Sequence, residues 1–360
     1  MYALYGIAFA AACLVAVLLT PLVKRFAYFV GAVDRPNQRK VHTRTMPRLG
    51  GLAIFVAFAG AFFTVAPAVG GYDAKVAEAL LIGGLIVVLV GALDDKYDLS
   101  PKLKLLAELT AALVIVFYGG IQIDLLNLPF GDSFETKWLS IPLTIFWIIG
   151  VTNAINLIDG LDGLAAGVSS IATATMLVLA FIMGNGTVIL LSVMLLGCTV
   201  GFLVYNFHPA KIFMGDSGAL FLGFSLATLS ILGFKQATFV SFVVPLLILG
   251  VPLSDTFFAI VRRKVNKLPI SVADKNHLHH CLLQLGFSHR QTVFIIYAIS
   301  ACFGLIAILL SQTSQWVAVV IVVVILIVMQ VGAEAIGIVS KSKRPVIDLI
   351  SRVRSKTMSK

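Results

Sequence analysis

The stretch "VTNAINLIDGLDGLAAG", Val151 to Gly167, lies inside a long apolar run, yet it carries Asn153, Asn156, Asp159 and Asp162. An ionisable group at membrane depth costs about 2.5–3.5 kcal/mol on insertion scales. Residues 139–157 before the acidic turn and 162–183 after it are each long and apolar enough to cross a bilayer as a helix. The segment is therefore read as the turn between two membrane-spanning helices, with Gly160 and Gly163 allowing the break. Asn156 and Asp159 are three apart and are expected on one helix face. Their depth is explained by a polar cavity rather than by contact with lipid.

The same pattern runs outward along the chain. Of 360 residues, 59% are hydrophobic and 12% charged, with mean hydropathy +1.01. A soluble domain carries roughly a quarter charged residues. The fold class is all-α, a polytopic integral membrane protein with about eleven transmembrane helices. The expected spans are 3–24, 50–70, 77–93, 102–119, 139–157, 162–183, 187–206, 216–233, 237–260, 291–311 and 315–338. Continuous rather than alternating apolar runs exclude a β-barrel. Residues 1–338 read as a single transmembrane catalytic domain and 339–360 as a basic cytoplasmic tail, with no internal repeat. The four cysteines have no C-x-x-C spacing and suggest neither a disulfide frame nor a zinc site.

Basic residues orient the chain. With the N-terminus outside and the C-terminus cytoplasmic, only Lys75, Lys137 and Lys235 of the 27 Lys and Arg face out. All six histidines and most of the acidic residues then fall on the inner side, so the polar residues converge on one cytoplasmic face. The formal charge of +10 is cytoplasmic too, and suits membrane lipids or phosphate-bearing substrates. Nucleic acid is not expected, because the charge hugs the bilayer.

Four further motifs face that side. "GALDDKYDLSPKLK" ends one span with Asp94 and Asp95 and opens the next with Lys102 and Lys104. Adjacent carboxylates can hold Mg²⁺ near phosphates, keep one group as a base, or simply fix topology. "FHPAKIFMGDSGAL" places Asp216 between glycines at the start of a span, as an N-cap or beside a closely approaching ligand. "DKNHLHHCLLQLG" gathers His277, His279 and His280 on a loop, without the helical i, i+4 pairing of zinc hydrolases, so that a metal and a diphosphate fit equally well. "DRPNQRKVHTRTMPRLGG" is a basic loop containing Arg35, Arg39, Lys40, His42, Arg44 and Arg48, either an anion site or a topology signal.

Taken in order, from about Asp34 to Gly286, these motifs resemble the polyprenyl-phosphate N-acetylhexosamine-1-phosphate transferase superfamily, of the glycosyltransferase family 4 type. The "HLHH" and "DRPNQRKVHTRTMPRLGG" segments look like its bacterial undecaprenyl-phosphate GlcNAc-1-phosphate branch, particularly the teichoic-acid members. The resemblance implies an enzyme of the bacterial cytoplasmic membrane, multi-pass, with its active site facing the cytoplasm. UDP-GlcNAc would be the donor and undecaprenyl phosphate the acceptor, with UMP released and a cell-envelope glycopolymer initiated.

By the same resemblance, Asp216 and Asn156 hold Mg²⁺, with Mn²⁺ as a substitute. Asp94 positions or deprotonates the lipid phosphate, and Asp95 supports that phosphate or the metal. Phe213 stacks on uracil, while Lys104 and Asp159 contact the nucleotide. His279 and His280, supported by His277, grip the diphosphate or sugar. Arg39, Lys40 and His42 meet the lipid phosphate. Direct attack is preferred over an aspartyl-phosphate intermediate, since metal-assisted phosphoryl transfer needs mostly positioning and charge stabilisation. Alternatives are the same chemistry on UDP-MurNAc-pentapeptide, or a lipid or ion transporter. A transporter would place its polar residues nearer the midplane and often repeat its halves. The polymer fed, the polyprenol length and the oligomeric state, a homodimer included, stay open.

Overall fold

The protein is described by a computed structural model covering residues 2–34, 45–123, 125–127, 133–135, 137–233, 239–267 and 276–338. The described residues form thirteen α-helices: α1 (Tyr2–Val30), α2 (Gly50–Val69), α3 (Ala74–Tyr97), α4 (Pro101–Leu113), α5 (Ser140–Ile158), α6 (Leu164–Met183), α7 (Gly186–Asn206), α8 (Gly215–Gly233), α9 (Phe239–Ile248), α10 (Gly250–Val265), α11 (Leu278–Gln284), α12 (His289–Leu310) and α13 (Gln315–Ile336). Antiparallel ribbons pair β1 (Val33–Asp34) with β2 (Met46–Pro47), and β3 (Leu125–Asn127) with β4 (Ser133–Glu135).

Nine of these helices are long and apolar enough to cross a membrane: α1, α2, α3, α5, α6, α7, α8, α12 and α13. The all-α, multi-pass architecture expected from the sequence is therefore present. Two of the expected spans are composite. Residues 102–119 are α4 continued by a π-helical turn over Val114–Tyr118. Residues 237–260 are divided between α9 and α10 at Leu249. Pro245 lies inside α9 and contributes no backbone N–H, while Pro252 sits in the first turn of α10, where N–H groups lack helical partners anyway.

Helix α8 is the central pillar, with α2, α3, α5 and α6 packed around it. Every residue of α8 except Asp216 and Leu232 is buried. Lipid tails are as apolar as leucine, so close packing of small residues, rather than water exclusion, holds such helices together. Gly51 shows how close: a Cβ there would run into the backbone of Ser217 and Gly218. At the rim, α13 buries only Ala318, Ile325, Ala333 and Glu334.

The functional motifs gather at one end of this bundle. The α3–α4 corner, the α5–α6 turn, the segment entering α8, and α11 with the start of α12 all meet there. Backbone bonds fasten the 47–51 segment to the segment entering α8: Phe213 N donates to Pro47 O, Gly50 N to Phe213 O, and Gly51 N to Met214 O, at 2.9–3.1 Å.

Candidate active site

Asp94 and Asp95 are adjacent on α3, about 100° apart around its axis, and face different partners. Asp95 is buried and serves the first turn of α8. Its Oδ1 accepts from Asp216 N at 2.8 Å, and its Oδ2 accepts from Ser217 N at 3.2 Å and Ser217 Oγ at 2.9 Å. The cap of α8 is thus supplied by a carboxylate from another helix, not by Asp216 itself. Asp94 Oδ1 accepts from Leu99 N at 2.8 Å, closing the α3–α4 corner, and its Oδ2 faces Lys104.

Asp216 is consequently free to look into the site. Lys104 Nζ lies 2.8 Å from Asp216 Oδ2 and 3.1 Å from Asp94 Oδ2, bridging two carboxylates from separate helices. Asn156 Nδ2 donates to the same Asp216 oxygen at 3.2 Å. The sequence expectations for Asp94, Lys104, Asn156 and Asp216 therefore converge on one cluster. One turn deeper, Asn153 donates to the buried Glu108, so a second polar layer lies behind the first.

Arg48 enters from the opposite side. Its Nε lies 3.5 Å from Asp95 Oδ1 and its Nη2 4.0 Å from Asp216 Oδ1. Burial opposes its charge, but Asp95 and Asp216 hold the guanidinium above its ordinary pKa.

Helix α5 ends at Ile158, and Asp159 is its C-cap with φ −76° and ψ 56°. Asn156 and Asp159 therefore do not share a helical face; the chain has already turned. Burial, and next the charge of Asp216, push the Asp159 carboxyl up to about 7. The turn continues through Gly163 at φ +76°, where glycine avoids the Cβ penalty of the left-handed region. It is pinned by Asn206, which accepts from Gly163 N at 3.1 Å and donates to Ile212 O at 3.0 Å, and by Tyr297, whose hydroxyl donates to Gly163 O.

His277, His279 and His280 are not solvated loop residues. His277 is the N-cap of α11, and His279 and His280 lie within that helix. His277 and His279 are buried, and His280 is half-buried. His277 Nδ1 lies 2.7 Å from Asp255 Oδ2 of α10, and Leu278 N donates to Asp255 Oδ1 at 2.7 Å. The His279 ring rests against Gly160, where a Cβ would strike its Nε2. Burial, then His280, lowers His279 to about 3, so it is neutral at physiological pH.

Asp162, His208 and His289 bring one ligand atom each within 4.8 Å of the others. His208 Nδ1 lies 2.8 Å from Asp162 Oδ2, and the two imidazoles are stacked, centroids 4.1 Å apart and planes 25° apart. Ring lone pairs lie in the ring planes, so rings stacked this way do not aim at one ion. An aspartate–histidine pair with a stacked neighbour describes the cluster better than a metal centre.

Phe213 stands three residues before Asp216 on the segment entering α8 and is half-buried. Arg39, Lys40 and His42 lie outside the described residues. Glu108 and Asp255 are not among the site residues expected from the sequence, and Arg48 is expected only as one member of the basic anion-site loop. Glu108 and Asp255 did carry a signal, each being a lone carboxylate in an apolar run.

The donor set can be tested against a divalent metal. Asp216 and Asn156 offer carboxylate and amide oxygens, the hard donors that Mg²⁺ selects. Lys104 already answers the same demand for positive charge between Asp94 and Asp216. The residues fit such an ion.

Residues 77–234 match the family model described as Glycosyl transferase family 4. The chain is 46% identical over 349 residues, 96% of each chain, to a probable undecaprenyl-phosphate N-acetylglucosaminyl 1-phosphate transferase of Bacillus subtilis (strain 168). It is 36% identical over 313 residues to a decaprenyl-phosphate N-acetylglucosaminephosphotransferase of Mycobacterium tuberculosis (strain ATCC 25618 / H37Rv), covering 79% of this chain and 77% of the relative. It is 28% identical over 308 residues to the undecaprenyl-phosphate alpha-N-acetylglucosaminyl 1-phosphate transferase of Escherichia coli (strain K12), covering 83% and 82%.

Proposed function

The chain belongs to glycosyl transferase family 4, and on that footing we propose that it transfers GlcNAc-1-phosphate from UDP-GlcNAc to undecaprenyl phosphate, releasing UMP. The reaction would take place at the cytoplasmic face of the bacterial inner membrane and start a cell-envelope glycopolymer, teichoic acid or similar. The observation that carries the reading is the Lys104 bridge between Asp94 and Asp216, with Asn156 on the same carboxylate oxygen. A cluster that sets anionic oxygens beside a cation is suited to a diphosphate exchange.

In this reading an oxygen of the lipid phosphate attacks the phosphorus that bears the sugar, and the bond from that phosphorus to the UMP oxygen breaks. One diphosphate replaces another, so the step is nearly balanced. Asp216 and Asn156 would hold Mg²⁺, which when bound supplies charge neutralisation at the attacked phosphorus. Lys104 moves from the carboxylates to the nucleotide phosphates. Asp94, freed of Lys104, positions the lipid phosphate or takes its proton. Asp95 keeps the α8 terminus, and hence Asp216, in place. Arg48 offers a guanidinium, suited to bidentate contact with phosphate. Phe213 stacks on uracil, and Asp159 contacts the nucleotide. His280 is the most open of the three histidines and reaches the diphosphate or sugar, with His279 and His277 behind it. Arg39, Lys40 and His42 meet the lipid phosphate.

The test is UMP release by purified protein in detergent with undecaprenyl phosphate, Mg²⁺ and UDP-GlcNAc. UMP formed only with lipid and metal, abolished by EDTA and by Asp216→Ala, supports the reading. No UMP from folded protein would overturn the donor assignment and direct the same assay to UDP-MurNAc-pentapeptide.

A further inference from the structure

Asp255 sits in the middle of α10, 3% exposed, in a stretch that otherwise reads as membrane helix. A carboxylate there is costly unless its lone pairs are used. Both oxygens are used, and both on α11: Oδ2 faces His277 Nδ1 and Oδ1 accepts from Leu278 N, each at 2.7 Å. A carboxylate only accepts, so His277 Nδ1 carries the proton in this contact.

The other side of α11 meets the α5–α6 turn. The rings of His277 and His279 are nearly parallel, 6° apart with centroids 6.0 Å apart, and His279 lies directly on Gly160. Gly160 follows Asp159. A continuous contact path therefore runs from Asp255 through His277 and His279 to the turn that presents Asp159.

We propose that Asp255 is a positioning residue: by fixing the His277 tautomer and anchoring the first turn of α11, it seats the histidine helix on the Gly160 turn and so sets the nucleotide-facing geometry of Asp159 and His280. The proposal rests on the transferase reading above. Asp255 touches no reacting atom; it acts through α11.

Asp255→Asn is the informative change. Asparagine offers one acceptor and one donor where aspartate offered two acceptors. The backbone N–H of Leu278 has only a donor to give and takes the amide oxygen. The amide NH₂ is then left facing His277 Nδ1, which must become the acceptor. The variant keeps the shape and inverts the tautomer.

The experiment combines steady-state UMP release with long-range ¹H–¹⁵N spectra of ¹⁵N-histidine-labelled protein in detergent. Asp255→Asn is expected to switch His277 to the Nε2–H form and to lower kcat/KM for UDP-GlcNAc about tenfold or more. The loss should lie in KM for the nucleotide, with KM for undecaprenyl phosphate within twofold. Gly160→Ala attacks the same seat from the opposite side and should give the same KM signature. Because both act through α11, the double variant should lose less than the product of the single losses. A switched tautomer with unchanged kcat/KM overturns the proposal, as do losses that multiply. If Asp255→Asn does not fold, Gly160→Ala decides alone, and a wild-type nucleotide KM overturns the idea. Wild-type turnover separates the two levels: its absence removes the transferase premise and the proposal together, whereas its presence beside a fully active Asp255→Asn removes only the proposal.

Discussion

The Lys104 ammonium lies 2.8 Å from the Asp216 carboxylate, tying the start of α4 to the start of α8 through a side-chain contact 112 residues apart in sequence. The same ammonium reaches Asp94, so one cation serves two carboxylates. Replacing it with the uncharged Lys104→Met should lower kcat/KM by about 10²–10³, the scale of losing one preorganised electrostatic contact. It also leaves Asp94 and Asp216 mutually repelling. Mg²⁺ should therefore raise the thermal midpoint of Lys104→Met more than that of wild type. Differential scanning fluorimetry with and without Mg²⁺ checks this; equal shifts would mean that the lysine and the metal do not share a site.

Adjacent Asp94 and Asp95 should separate into different phenotypes. The buried Asp95 accepts three hydrogen bonds from Asp216 and Ser217 and lies near the half-buried Arg48. Asp95→Ala removes the cap of α8 and should cost about 1–3 kcal/mol of stability, together with activity. Asp94→Asn keeps an acceptor for Leu99 N and should fold normally while losing most UMP release. Midpoints and turnover measured on the same preparations discriminate the two; similar midpoints would contradict the division of labour.

That division also marks the limit of what the sequence discloses. The apolar runs expose the helices because membrane spanning demands length and hydropathy, and both are local properties. The converging polar ends follow from alternating topology, which places Asp94, Lys104, Asn156 and Asp216 on one face, whereas singling them out from the other polar residues there rests on the family resemblance. What separates Asp95 from Asp94 is a partner 121 residues away. The burial of His277 depends on Asp255, 22 residues earlier on another helix. Neither relationship leaves a periodicity to read. Arg48 is legible only in part: its basic segment reads as an anion site or a topology signal, and neither reading singles it out from its neighbours.

Asp159 and His279 should impose opposite pH dependences on stability. The Asp159 carboxyl keeps its proton to about pH 7 when folded but releases it near 4 when unfolded. Between those values the folded state binds more protons, and stability falls as pH rises. His279 stays neutral down to about pH 3 when folded but gains a proton near 6.5 when unfolded. There the unfolded state binds more protons, and stability rises with pH. Wild type should show little net slope between about pH 4.5 and 6.5 from this pair. Asp159→Asn should unmask a rising midpoint across that window, and His279→Gln a falling one. Parallel slopes in the two variants would refute the assignment.

Gly51 supplies the sharpest packing test, because the same helix contains its control. Its N–H donates to Met214 O at 3.0 Å, and the space where a Cβ would stand is filled by the Ser217 and Gly218 backbone. Backbone cannot rotate aside as a side chain can, so Gly51→Ala must push α2 and the start of α8 apart. Asp216 belongs to that start, and its distances to Lys104 and Asn156 are set there. A shift of about 1 Å can cost on the order of 10²-fold in rate, so Gly51→Ala should lose at least tenfold in turnover even where the protein still folds. Gly60, also in α2, has nothing within 4 Å of its Cβ direction. Gly60→Ala should therefore be active and about 0.5–1 kcal/mol more stable, through reduced backbone entropy in the unfolded chain. Turnover and midpoint of the two alanine variants side by side make the comparison; an active Gly51→Ala would show that α8 is not held by this contact.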